Sequence, residues 1–379
     1  MSVWDGLVGQ EHVVETLRRA VADPRSMTHA WLFTGPPGSG RSVAARAFAA
    51  ALQCEATPPG CGTCKACRTA MNATHPDITN VSTEKVVIDI REVRELVATA
   101  SRSASQGRWR IVIVEDADRM VERTSNVLLK SIEEPPEHTV WLLCAPSPDD
   151  VIVTIRSRCR QVNLRIPPAD AVADLLVRRD GVDPGVAAIA ARAAQSHVGM
   201  ARRLATDPRA RERRRRLLGI PTSIRGVGDA VLEAAVLVEG AAAEAKDVAA
   251  RRDEGERAEL LRALGIGDGP VPPAARAQVR QLEEQQKKRG TRVQRDALDR
   301  SMVDLLAYYR DVLAVQFGSD VDLVNADLSA AIRDLAARST PEQTLRRMDA
   351  IGEARTRLAG NVAPLLAVEA MLIALRPQG

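Results

Sequence analysis

Aromatic residues are nearly absent: three Phe, two Tyr and four Trp make up 2% of a 379-residue chain. That scarcity argues against binding nucleic acid by stacking bases on a platform of rings. It also leaves the cores to Ala, Val, Leu and Ile. Lysine is almost as rare, six of the 53 basic residues, so an arginine standing where chemistry wants a lysine is an easy drift for this composition. No uninterrupted apolar run reaches about 18 residues, which excludes a recognisable membrane-spanning helix. The opening Met1-Ser2-Val3-Trp4-Asp5-Gly6 lacks a basic flank followed by an apolar stretch. A soluble, cytoplasmic protein with no membrane partner is expected. Charge of one sign is also lacking: the formal balance is +4, which permits contact with a DNA backbone without arguing for it. Six cysteines in a large chain with no signal peptide point away from a disulfide framework.

What is present divides the chain. Residues 1–165 alternate between helical and strand-like patterns: a helical period over Leu7–Val21, a strand at Trp31–Thr34 and a helix over Ser42–Leu52. Val86–Ala100 reads as a helix with its approach strand, Ile111–Val114 and Val140–Leu143 as buried strands, and Ser125–Glu133 as the helix between them. This alternation predicts a doubly wound parallel α/β sheet with its ligand at the carboxyl ends of the strands. After the Ile166-Pro167-Pro168 break, Ala169–Arg179 and Pro184–Ala205 read as a small set of helices. Beyond Arg209–Arg216 the pattern is helical to the end, broken at 265–273 by Gly and Pro. Ala241–Arg295 predicts one or two long exposed helices with a flexible joint near 265–275.

The turn Gly35-Pro36-Pro37-Gly38-Ser39-Gly40-Arg41-Ser42 has every part of a phosphate-binding loop except its lysine. In G-x-x-x-x-G-K-[ST] the glycines let backbone N–H groups wrap phosphate at a helix N-terminus, lysine places a compact charge on the outer phosphates, and the hydroxyl holds magnesium. Arg41 carries the same charge in a broader, planar group that cannot take the ammonium's place. The second half of a nucleotide site, the acids after Arg110–Val114, is altered too. Glu115-Asp116 reverses the usual Asp-Glu order, so the metal-holding and water-activating carboxylates would each be displaced by about an ångström. The pair of motifs predicts a site that binds ATP and magnesium weakly or not at all, or holds nucleotide without turnover.

Cys54, Cys61, Cys64 and Cys67 form C-x6-C-x2-C-x2-C in a Gly- and Pro-rich loop, the reach of four thiolates around a tetrahedral zinc. The alternative is four reduced surface thiols. A closed four-sulfur shell would make such a zinc structural rather than catalytic. Cys144 and Cys159 read as small buried residues.

Thr74-His75-Pro76-Asp77, the run Asn126–Pro136 with its Glu133-Glu134-Pro135-Pro136, and Thr154-Ile155-Arg156-Ser157-Arg158-Cys159 together resemble the bacterial sliding-clamp loaders of DNA polymerase III. The resemblance is strong over about 1–210 and only of a general kind beyond. It implies an AAA+ P-loop domain at 1–165, a helical lid at 166–208 and an all-α oligomerisation collar at 209–379, with the cysteine module inserted after the P-loop helix. The family's motor subunits keep the lysine, the Asp-Glu pair and a hydroxyl after the fourth strand. Here Leu143-Cys144-Ala145-Pro146 offers none at Ala145 or Pro146. These departures match the family's stator branch.

The resemblance further implies a DNA replication complex with motor (gamma/tau) and delta subunits as partners, and the clamp and primed DNA reached through that complex. It makes Arg158, placed at the end of a sheet strand, an arginine finger reaching into a neighbour's ATP site. Arg202, in Gly199-Met200-Ala201-Arg202-Arg203, takes the position of the lid arginine of these ATPases, and Val8-Gly9-Gln10 that of a segment packing near adenine. Arg209–Arg216 reads as a solvated linker helix sooner than as a DNA-binding stripe. The competing expectations are a working motor or autonomous DNA-dependent ATPase, and a zinc-dependent nucleic-acid-binding module.

Overall fold

A computed structural model of the chain describes residues 2–81, 88–263, 272, 276–360 and 362–376. Two compact units are found, Met1–Thr206 and Asp207–Gly379. Among the described residues no helix is long and apolar enough to cross a membrane.

In the first unit, β1 (Ala30–Thr34), β2 (Ile78–Val81), β3 (Arg110–Val114), β4 (Thr139–Ala145) and β5 (Arg160–Asn163) form one sheet in the order β2-β3-β4-β1-β5. Every pairing is parallel, as the helical crossovers require. The central strands β1, β3 and β4 are buried along their whole length, and alternate side chains serve opposite faces. Trp31, Phe33, Ile111, Ile113, Leu142 and Cys144 join α1 (Glu11–Ala22) and α2 (Arg41–Leu52) in one cluster. Leu32, Val112, Val114, Trp141, Leu143 and Ala145 face α4 (Ile90–Ala100), α5 (Glu122–Glu133) and α6 (Val153–Arg156) in the other. A sheet covered on both faces has continuous apolar strands rather than alternating ones. This is the expected doubly wound parallel α/β architecture.

The short helix α3 (Lys65–Met71) closes the cysteine module, and α7 (Ala169–Asp180), α8 (Pro184–Ala193) and α9 (Val198–Thr206) complete the unit. The sheet has two strands that the sequence pattern did not reveal. Ile78–Val81 is an edge strand with one buried residue, and Arg160–Asn163 buries only Val162; neither has the apolar run of a central strand. Residues 82–87, where an approach strand was expected to begin, lie outside the described residues.

Among the described residues the second unit is all helical: α10 (Pro208–Ser223), α11 (Val227–Ala263), α12 (Arg276–Gln316), α13 (Ser329–Arg338), α14 (Pro341–Ala359) and α15 (Pro364–Leu375). Its core gathers Leu298, Met302, Leu305, Tyr308, Tyr309, Ile351 and Met371.

 

The long helices α11 and α12 agree with the expectation for Ala241–Arg295. The joint between them lies almost wholly outside the described residues. Four arginines of α10, Arg213, Arg214, Arg215 and Arg216, are paired with acids. Arg214 meets Asp304 at 3.1 Å, and Arg213 and Arg300 share the carboxylate of Glu244, at 3.5 and 3.2 Å.

Candidate nucleotide site, cysteine cluster and edge arginine

The candidate phosphate-binding loop Gly35–Ser42 lies where the parallel sheet predicts it, between the carboxyl end of β1 and the first turn of α2. Gly35 has φ +151°, and a Cβ on it would stand 2.6 Å from the Leu164 carbonyl oxygen and 2.7 Å from Ser39 Oγ. Only glycine fits that approach. Gly38, at φ +88°, is equally confined: a Cβ there would lie 3.0 Å from three atoms of His197. Gly40 is the N-cap of α2 and also has positive φ.

The charged groups of this site are turned on one another. Arg41 donates through Nη1 to the carbonyl of Gly35, the first residue of its own loop. Burial pushes the Arg41 guanidinium's pKa down, while Cys144, Asp118, Asp116 and Asp150 act the other way. Glu115 lies 3.8 Å from Arg46, on α2, and Asp116 lies 3.8 Å from Arg119. The half-buried Ser42 follows Arg41 at the helix start. The Gly35 N–H donates to the Pro146 carbonyl at 3.1 Å, so the stretch without a sensor hydroxyl does adjoin the loop. Cys144 beneath it is buried, and burial raises its thiol pKa to about 12. The arrangement keeps the shape of a phosphate cradle but engages its arginine internally.

Gln10 fixes the loop from outside. Its Nε2 donates to the carbonyls of Arg165 (2.6 Å) and Ser39 (3.4 Å), and its Oε1 accepts from the Arg165 N–H at 3.2 Å. Arg202 is not drawn to the loop by any of its recorded contacts; its Nε lies 3.0 Å from Asp180 of α7. The residue of this region that touches the loop is His197, which sequence reasoning missed. It directly precedes α9 and follows Gln195 and Ser196, both at positive φ. Nothing in the residue pattern distinguished it from an ordinary surface histidine.

The four cysteines converge. Their sulfurs all lie within 4.8 Å of one another, with Cys54 to Cys61 at 3.8 Å and Cys64 to Cys54 at 3.9 Å. A tetrahedron with Zn–S bonds of about 2.3 Å has edges of about 3.8 Å, so the cluster fits zinc. The N–H groups of Cys64 and Cys67 donate to the sulfurs of Cys61 and Cys64, both at 3.4 Å. Such bonds favour thiolates. The module is anchored to the chain's start: the Val3 N–H and Ser2 Oγ both donate to the Gly60 carbonyl, at 3.0 and 2.9 Å.

Asp77 of the Thr74–Asp77 motif is a buried clasp. Its carboxylate accepts from the N–H groups of Ser105 (2.6 Å), Gln106 (2.7 Å) and Gly107 (2.7 Å), and Arg110 lies 3.3 Å away. Burial alone would raise its pKa, but those N–H groups hold it down at about 2.

The position of Arg158 corrects one expectation. It does not follow a strand; it follows the single turn of α6 and precedes the edge strand β5. The pattern misled because the strand it adjoins lacks an apolar run. Its Nη1 donates to the Thr154 carbonyl at 2.9 Å and to Ser157 Oγ at 3.3 Å, and its Nη2 lies 2.7 Å from Glu133. The side chain remains 40% exposed.

Residues 9–168 match the family described as DNA polymerase III, delta subunit. The DNA polymerase III subunit delta' of Pseudomonas aeruginosa is 39% identical over 154 residues, covering 40% of this chain and 47% of the relative. Subunit tau of Bacillus subtilis is 32% identical over 173 residues, covering 45% of this chain and 30% of the relative. The chain thus spans less than half the length of these curated relatives. A solved gamma subunit-related protein from Thermotoga maritima aligns over 96% of this chain and 98% of its own, at 15% identity and a TM-score of 0.40.

Proposed function

We propose that this chain is a delta-prime-type stator subunit of a DNA polymerase III clamp loader, since residues 9–168 match the family described as DNA polymerase III, delta subunit, and resemble the delta' and tau subunits named above. In this reading it supports ATP-driven loading of the sliding clamp onto primed DNA without turning over ATP itself. The observation that carries it is Arg41. The group standing in the lysine's place donates to Gly35 inside its own loop, and the reversed acids are each beside an arginine. A phosphate entering the cradle must displace these contacts and finds no compact ammonium there.

The chain's chemical contribution is instead made in trans. Arg158, exposed beside β5, neutralises the charge that develops on a phosphoryl group bound to a neighbouring motor subunit. Cys54, Cys61, Cys64 and Cys67 hold a structural zinc, which fixes the loop after α2 and takes no part in the reaction. In this reading 1–165 is the P-loop domain, 166–208 the lid, ending within two residues of the first unit's boundary at Thr206, and 209–379 the collar that joins motor and delta subunits.

Reconstitution tests the whole reading. Motor and delta subunits, clamp and primed DNA are mixed with and without this chain, and clamp loading is followed. Loading that depends on the chain, with no DNA-stimulated ATP turnover by the chain alone, is expected. Brisk turnover by the isolated chain would make it a motor.

A further inference from the structure

The geometry points to Glu133 as a positioning residue that holds Arg158 ready for the partner's phosphate, an inference that rests on the trans role proposed for Arg158. Glu133 is the last residue of α5. A carboxylate there faces the negative end of the helix dipole, so the helix itself gains nothing from it. Its recorded partner is Arg158, 25 residues away, at 2.7 Å.

An ion pair between two exposed side chains is ordinarily mobile and contributes little. This one is different because both backbones are fixed. Ile132, beside Glu133, and Ile155 and Cys159, on either side of the Arg158 turn, are buried in the same apolar cluster. Pro135 and Pro136 stiffen the chain just after α5. The Arg158 N–H donates to the Ile155 carbonyl at 3.0 Å, closing the turn.

The guanidinium is therefore held from three directions, by Glu133, the Thr154 carbonyl and Ser157 Oγ. Its Nε–H engages nothing among the described residues. Arg156, two residues earlier, is used locally instead: it donates to the Pro148 carbonyl at 3.3 Å and pairs with Asp149. Holding a long side chain in one geometry before the partner arrives removes ordering that would otherwise accompany catalysis.

The test is made in the reconstituted complex with motor and delta subunits, clamp and primed DNA, using Glu133→Ala, Glu133→Gln, Arg158→Ala and the double alanine variant. Glu133→Ala should lower single-turnover ATP hydrolysis at the motor site facing this chain about three- to tenfold, leaving ATP binding and complex assembly unchanged. Glu133→Gln, which keeps an acceptor oxygen, should retain more than half of the unmodified rate. The double variant should be no slower than Arg158→Ala alone, since Glu133 acts only through that arginine. Glu133→Ala at or above the unmodified rate, with Arg158→Ala impaired, would overturn the inference alone. So would losses that multiply in the double variant. An Arg158→Ala complex at full rate would remove the parent reading and this inference together.

Discussion

The proposed function assigns two arginines of the first unit to phosphate chemistry, and their surroundings differ. Arg41 begins α2, is half-buried, and donates to a carbonyl of its own loop. Arg158 lies on the turn between α6 and β5, is 40% exposed, and is held by groups on only part of its fork. In the proposed reading the same side chain is a filler in one place and an offered donor in the other. Burial and local partners, rather than residue type, set the role.

The largest expected effect is at Arg158. In the assembled complex Arg158→Ala should lower ATP turnover at the one motor site facing this chain by about 10³-fold or more, with folding and assembly intact. Arg158→Lys should recover little of it, since a point charge cannot span two phosphate oxygens. Single-turnover ATP hydrolysis by the complex reads both.

The cysteine module supplies a control that should not alter the contrast. One zinc per chain is expected by elemental analysis of protein purified without chelator, and Cys64→Ser should reduce that to near zero while leaving the sheet folded by circular dichroism. A zinc-free preparation from the unmodified chain would remove the metal from the account.

A second control lies in the clasp around Asp77. Its carboxylate pKa is about 2 in the folded state, against about 3.9 when unfolded. A depressed carboxylate adds stability that is present above the unfolded value and is lost as pH falls from about 4 towards 2. The amount is about 2 kcal/mol. Asp77→Asn should lower the thermal midpoint by about 5 °C at pH 7, and the difference from the unmodified chain should narrow in acid. An unchanged midpoint would mean that the turn at 105–107 is held by its other contacts.

How far this contrast could be read from residues alone depends on local pattern. β1, β3 and β4 were legible because buried central strands are written as apolar runs, and the P-loop and four cysteines because their spacing is itself the signal. The edge strands Ile78–Val81 and Arg160–Asn163 bury one residue each, so nothing marked them, and Arg158 was assigned the wrong end of a strand as a result. The Thr74–Asp77 motif pointed to a family, but the clasp made by Asp77 depends on N–H groups about 30 residues away. His197 reaches Gly38 only through the packing of a later helix on the loop. The inward turn of Arg41 is a matter of rotamer and partner, which no spacing records.

The smallest effect is expected at Arg41. Arg41→Lys in the isolated chain should change ATP hydrolysis by no more than about twofold, because the reversed acids and the missing hydroxyl remain. Turnover rising to motor-like rates would show the acid order to be immaterial and make the contrast a matter of one residue.

The central claim is tested most directly by placing Arg41→Ala and Arg158→Ala, separately, in the same reconstituted loader and measuring clamp loading on primed DNA. The account predicts loading within about twofold of the unmodified complex for Arg41→Ala and a collapse for Arg158→Ala. A collapse with Arg41→Ala and full loading with Arg158→Ala would contradict it, and would place the working arginine in the chain's own nucleotide site.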